Sequence, residues 1–210
     1  MMLFVAVAGG TGSGKTTLAQ TLAKELGEEG QIFYEDRYYR SRKDLTFSQR
    51  ERLNYDHPNA YDRELMYRHL LALKQGEPVS CPLYDYQRHL RREETVLLSP
   101  KRILFAEGIL LLHDPKIREL FDLTVFVDVP ADIRILRRLS RDVKERGRNV
   151  DSVIRQYFDS VRPMHEAYVE PTKAFANEVV TGGGKNQEAL LRLKEKILAL
   201  LSECSLNGRD

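Results

Sequence analysis

The chain has little that would commit it to a membrane, an oxidising compartment or a nucleic-acid surface. Only two cysteines occur in 210 residues, Cys81 and Cys204. They are far apart and match no metal or disulfide spacing, so a reducing cytoplasm is the expected setting. No apolar run reaches the roughly 18 residues of a membrane-spanning helix, and the apolar start lacks the basic leader of a signal peptide. Formal charge is nearly balanced at +2, so no global field points to nucleic acid or lipid. His57, His69, His113 and His165 show no metal-ligand spacing. Repeats and low-complexity stretches are missing, as are the Asn-Lys-x-Asp and Asp-x-x-Gly motifs of GTP-dependent switches. What remains is one domain, expected over 1–203 with 204–210 as a tail.

Against that background one motif stands out. Gly9, Gly10, Thr11, Gly12, Ser13, Gly14, Lys15 and Thr16 fit G-x-x-x-x-G-K-[ST] at every fixed position. The apolar run Leu3–Ala8 precedes them, and Leu18, Ala19, Leu22 and Leu26 follow at helical spacing. A strand, a glycine loop and a helix are the context this pattern requires. Loop N–H groups and the helix N-terminus converge on phosphate oxygens. Lys15 is placed to reach the β/γ-phosphates and Thr16 to hold Mg²⁺. The chain therefore handles a nucleoside triphosphate.

Five β-rich segments can be read: Leu3–Ala8, Gln31–Glu35, Arg102–Ala106, Leu123–Val129 and Ala176–Val180. Helical patterns between them predict an α/β fold with a five-stranded parallel sheet between two helical layers. The first helix is expected to stop near Gly27. Leu190, Leu193, Ile197, Leu200 and Leu201 predict a C-terminal helix packed on the sheet. The interval 38–100 exceeds a simple crossover and reads as an insertion. It holds a helix, Tyr61–Lys74, and a β-hairpin, Val79–Tyr86 with Glu94–Leu98. The polar and aromatic tip suits a small ring-bearing substrate.

Several acids and bases fall where phosphoryl transfer needs them. Glu107 follows the apolar Ile103–Ala106 and is read as a second Mg²⁺-organising group. Asp36 and Glu35 end the second strand; either could accept the proton of an attacking hydroxyl, and strand alternation lets only one face the site. Between Asp132 and Arg148 seven basic residues stand against three acidic ones. Pro130 suits a helix start, and Arg134, Arg138 and Arg141 then share a face, predicting an arginine-rich lid over about 131–150 that closes on phosphates. No aromatic residues interleave with these arginines, which argues against a nucleic-acid partner. Gly182–Lys185 follows the fifth strand and is expected near the adenine.

Together with Asp36–Arg40, Asn54–Pro58, Pro82–Tyr86, His89, Arg92–Thr95, Glu107–Leu110, Arg141–Asp142, Glu145–Arg148, Gln156–Tyr157 and Pro171–Lys173, the chain resembles the uridine kinases, also called uridine–cytidine kinases, from Val5 to about Asn186. The resemblance implies a P-loop kinase that phosphorylates the 5′-hydroxyl of uridine and cytidine, with ATP or GTP as donor and Mg²⁺ as cofactor. It implies Asp36 as the general base, also close to the metal, with Thr16 and Glu107 supporting the metal and Lys15 and Arg141 acting at the phosphates. Thr17, Arg146 and Lys185 fall among its nucleotide contacts. Asp56 is implied to accept bonds from the ribose 2′/3′ hydroxyls. Tyr39, Tyr84, His89, Arg138, Arg148 and Gln156 complete the nucleoside site. A neutral imidazole can donate or accept, so His89 predicts use of both pyrimidines. Gly182–Asn186 departs from the family's Arg-Gly-x-x-Asn. A cytoplasmic homotetramer inhibited by CTP and UTP is likewise implied by the resemblance.

Overall fold

The computed structural model describes residues 2–206, with 204–206 as helix backbone alone; of the tail expected over 204–210, positions 207–210 lie outside the described residues. In chain order the elements are β1 (Leu3–Ala8), α1 (Lys15–Glu25), β2 (Gly30–Tyr34), a short α2 (Phe47–Glu51), α3 (Arg63–Lys74), β3 (Val79–Asp85), β4 (Leu90–Leu98), β5 (Ile103–Gly108), α4 (Pro115–Arg118), β6 (Leu123–Asp128), α5 (Ala131–Arg146), α6 (Val150–Gln156), α7 (Arg162–Met164), β7 (Glu178–Thr181) and α8 (Gln187–Leu206). Wide helical turns flank α7 on both sides, Tyr157–Val161 and His165–Val169.

Five strands pair in parallel in the order β2-β5-β1-β6-β7, as the alternation of apolar runs and helical patterns predicts. Side-chain alternation divides the core between the two faces. Leu3, Val5 and Val7 of β1 pack with Leu18 and Leu22 of α1 and with Leu193 and Ile197 of α8. Phe4, Ala6 and Ala8 pack against Met66, Leu70 and Leu73 of α3 and Cys81 of β3. The chain leaves β1 for β2 on one side and reaches β6 and β7 on the other. The crevice at that reversal is where open α/β sheets bind ligands.

Element ends follow local chemistry. The third helix starts at Arg63, because the Asp62 carboxylate accepts the Leu65 N–H at 3.3 Å as an N-cap. Tyr61, expected inside it, instead bridges to Tyr39. The first helix ends at Glu25, and Gly27 begins a separate 3₁₀ turn. β4 begins at Leu90, four residues before the expected start, and carries charged Arg91–Glu94 within the strand; such residues disfavour a strand by propensity alone. β5 runs on through Gly108, which places Glu107 inside the strand.

Candidate active site

Three neighbouring strands, β2, β5 and β1, bring the site together at their carboxyl ends. Glu107 is in register with both Val7 of β1 and Tyr34 of β2. The acid at the end of β5 therefore lies between the glycine loop after β1 and the Glu35–Tyr38 turn after β2.

The glycine loop folds back at once: the Ser13 N–H donates to the Gly10 carbonyl at 3.1 Å. Gly12 has φ +76°, and a Cβ there would run into the Arg134 carbonyl oxygen, so this position requires glycine. Lys15 opens α1, half-buried at the cleft wall. Burial lowers its pKa, reinforced by Arg141, while Glu107 and Asp36 pull the other way. Its ammonium thus sits among several carboxylates and one guanidinium, with burial outweighing the carboxylates.

Four carboxylates surround that ammonium with different roles open to them. Glu35 is 1% exposed. Its Oε2 accepts the Leu110 N–H at 2.9 Å, and burial raises its pKa to about 7. Asp36, the next residue, lines the cleft, and its Oδ1 is buried without a hydrogen-bond partner. Glu107 is 4% exposed; burial raises its pKa, countered by Lys15 and by the neighbouring Thr16 hydroxyl. Its Oε2 also has no hydrogen-bond partner. Asp56 is buried too, with its pKa raised by burial against the pull of Arg138 and Lys15. Mg²⁺ keeps several waters and takes one or two carboxylates plus substrate phosphates. The hydroxyl of Thr16 and the orphaned oxygens of Glu107 and Asp36 fit such an ion. A closed cage of three or more His, Cys, Asp or Glu ligands does not occur among the described residues.

Aromatic rings make the opposite wall. Tyr39 contacts Tyr61 at 4.5 Å between centroids, Tyr84 at 5.1 Å and Tyr55 at 5.2 Å. The His89 ring stacks on Tyr55 at 5.0 Å. Its φ of +53° makes it the one non-glycine residue in left-handed backbone among the described residues. Such strain persists where surrounding contacts fix it, as at binding sites. Burial and nearby Arg148 lower the His89 pKa, which keeps the imidazole neutral at pH 7.

The segment expected to act as a lid is α5 with the turn beyond it. Pro130 precedes the helix, and Gly147 ends it in left-handed conformation at φ +66°. Arg138 donates to the Thr11 hydroxyl at 3.1 Å and to Gln156 Oε1 at 2.9 Å. Arg148 also donates to Gln156 Oε1. Arg146 lies over the Tyr86 ring, 4.8 Å from its centroid, joining lid to hairpin. Arg134, expected on the same face as Arg138 and Arg141, does not reach the cleft. Its Nε donates to the Val129 carbonyl at 3.0 Å, and its guanidinium backs Gly10.

All of this encloses one cleft of ≈ 1120 Å³, above the usual range for a single small ligand. Its walls bring together Thr11, Gly12, Gly14, Lys15, Thr16 and Thr17 with Asp36, Tyr39, Asp56, Tyr84, His89, Glu107, Arg138, Arg141, Arg146, Arg148 and Gln156. Gly9, Gly10 and Ser13 form the loop behind these walls. Lys185 is exposed and does not line the cleft, although Gly184 beside it packs on Gly14. Tyr86, read with the aromatic hairpin tip, does line the cleft; sequence reasoning gave no role to Tyr55 and Tyr61, which complete the aromatic wall, or to Asp142, which lies beneath the lid arginines. The recurrence of tyrosine through 38–86 was the available signal.

A family model described as the Phosphoribulokinase / Uridine kinase family matches residues 4–189. A uridine kinase from Halalkalibacterium halodurans is 45% identical over 202 residues, covering 96% of each chain. One from Proteus mirabilis is 48% identical over 198 residues, covering 92% of this chain and 93% of its own. Among solved structures, phosphoribulokinase from Rhodobacter spheroides gives a TM-score of 0.61 at 14% identity, covering 88% of this chain and 73% of its own. That last likeness is one of fold.

Proposed function

We propose the following of a chain that belongs to the Phosphoribulokinase / Uridine kinase family: it transfers the γ-phosphoryl group of ATP or GTP to the 5′-hydroxyl of uridine and cytidine. The observation that carries this reading is the single cleft, in which a phosphate-binding loop and a polar aromatic pocket share Asp36 and Glu107 between them. Its volume suits two substrates side by side.

In the proposed reaction the nucleoside's 5′-oxygen attacks the γ-phosphorus in line. Asp36 accepts the hydroxyl proton as the new P–O bond forms and the bond to the β-bridging oxygen breaks, giving a nucleoside monophosphate and the diphosphate of the donor. Lys15 and Arg141 neutralise the charge that develops on the transferring group and the leaving oxygen. Thr16, Glu107 and Asp36 would hold a Mg²⁺ ion, which would supply further charge neutralisation for the phosphates. Asp56 accepts hydrogen bonds from the ribose hydroxyls. Tyr84 and the neutral His89 meet the pyrimidine edge, where an imidazole serves the O4 acceptor of uracil or the amino donor of cytosine. Arg138, Arg148 and Gln156 close over the nucleoside. A cytoplasmic homotetramer subject to inhibition by CTP and UTP is part of the same proposal.

A coupled diphosphate-release assay with Mg-ATP or Mg-GTP tests the proposal across uridine, cytidine, deoxycytidine, adenosine, pantothenate and ribulose 5-phosphate. Turnover confined to uridine and cytidine is expected. Turnover on pantothenate or ribulose 5-phosphate alone would show that the loop is shared and the pocket reading wrong.

A further inference from the structure

We propose that Asp142 is a positioning residue that holds the lid arginines in place before the phosphate donor binds. This rests on the kinase reading above, since it is the phosphates of that reaction that the arginines meet. Asp142 is 0% exposed. Its Oδ1 accepts from Arg141 through Nε at 3.0 Å and pairs with Arg141 Nη2 at 2.9 Å. Arg146 Nη1 approaches the same oxygen at 3.5 Å. Oδ2 faces Arg138 Nε at 3.5 Å and Arg148 Nη1 at 3.9 Å. The Asp142 main-chain carbonyl accepts the N–H groups of Gly147 and Arg148, the latter at 3.1 Å. One residue thus fixes the end of the lid helix, binds Arg141 and sets its charge against three further guanidiniums, and all four arginines line the cleft.

The charge balance separates this from an ordinary buried ion pair. A single carboxylate faces four cations, so the cluster keeps a net positive charge toward the cleft. Arg141 spends its Nε and Nη2 on Asp142, which leaves Nη1 for a phosphate. Oδ2 has ion-pair contacts but no hydrogen bond, so Arg138 and Arg148 are gripped mainly through Gln156 Oε1. Without the carboxylate, the four cations repel one another and the lid opens outward. The cleft then attracts a nucleotide at least as well, because one negative charge is gone. It no longer presents the arginines in register with the transition state.

This gives an opposed pair of readouts in Asp142→Asn. The kcat for uridine phosphorylation falls about 100-fold, the usual cost of displacing an oriented transition-state donor. The Kd for ATP stays within threefold of wild type or tightens, with a steeper dependence on salt. Asp142→Glu, which restores the charge, regains at least tenfold of the lost kcat. A kcat within threefold of wild type overturns the proposal, and so does an ATP Kd that weakens in proportion to kcat. If Asp142→Asn does not fold, arginine Nε–H NMR of the wild type without nucleotide decides. A slow-exchanging, ordered Arg141 signal is expected, and a motionally averaged one overturns the proposal. ATP affinity and these spectra do not depend on the nucleoside, so a wild type inactive on uridine would defeat the proposed reaction while leaving the Asp142 test intact.

Discussion

Glu35 Oε2 accepts the main-chain N–H of Leu110 at 2.9 Å, beneath a glycine, Gly108, whose Cβ would collide with that carboxylate. The pair closes the end of β5 against the turn after β2. It ties one Glu35 oxygen to the main chain, while the adjacent Asp36 presents a buried oxygen without a hydrogen-bond partner.

A pH dependence follows from that burial. The Glu35 carboxyl titrates at about 7 in the fold against an ordinary value of 4.5. Between these values the folded chain binds a proton that the unfolded chain does not, so stability falls as pH rises through the window and is flat above it. The slope is at most about 1.4 kcal/mol per pH unit, or roughly 3–6 °C in Tm for a chain of this size. Glu35→Gln removes the slope while keeping an acceptor for Leu110. Thermal melts between pH 5 and pH 8 should show the variant gaining on wild type as pH rises; parallel curves would contradict the assignment.

Glu107→Gln should leave nucleotide binding without metal unchanged and raise the Mg²⁺ concentration for half-maximal rate by about 10- to 100-fold, the range for groups that orient a metal or its waters. The same Mg²⁺ optimum in variant and wild type would remove Glu107 from the metal's surroundings.

Asp56→Asn tests the ribose contact. Losing a charged acceptor to two hydroxyls should raise the KM for uridine about 10- to 100-fold. The larger consequence is for selectivity: the gap in kcat/KM between uridine and 2′-deoxyuridine should narrow, because a site built around a hydroxyl rejects the analogue without it. An unchanged ratio would place Asp56 outside sugar recognition.

The legibility of this molecule in its sequence divides along physical lines. The sheet could be read because β1, β5 and β6 are buried on both faces and are therefore continuous apolar runs. The glycine loop was legible because its function constrains backbone as well as side chains. The positions of Asp36 and Glu107 at strand ends could also be read, though not how Glu35 differs from its neighbour, since the Leu110 N–H lies 75 residues away. Arg134 and Arg138 look equivalent at helical spacing, yet one backs the loop and the other faces the cleft. Their difference comes from how α5 sits on the loop, which periodicity does not encode. Asp142 is the clearest case: in the sequence it is one acid in a basic segment, and only the fold makes it the point on which four arginines converge.

The most direct test of the account is single-turnover phosphoryl transfer from Mg-ATP to uridine in wild type and Asp36→Asn, with binding of both substrates measured on the same samples. The account predicts that Asp36→Asn binds ATP and uridine within a few-fold of wild type while transfer slows by about 10²- to 10⁴-fold, the contribution of a general base. Transfer at the wild-type rate in Asp36→Asn would contradict it.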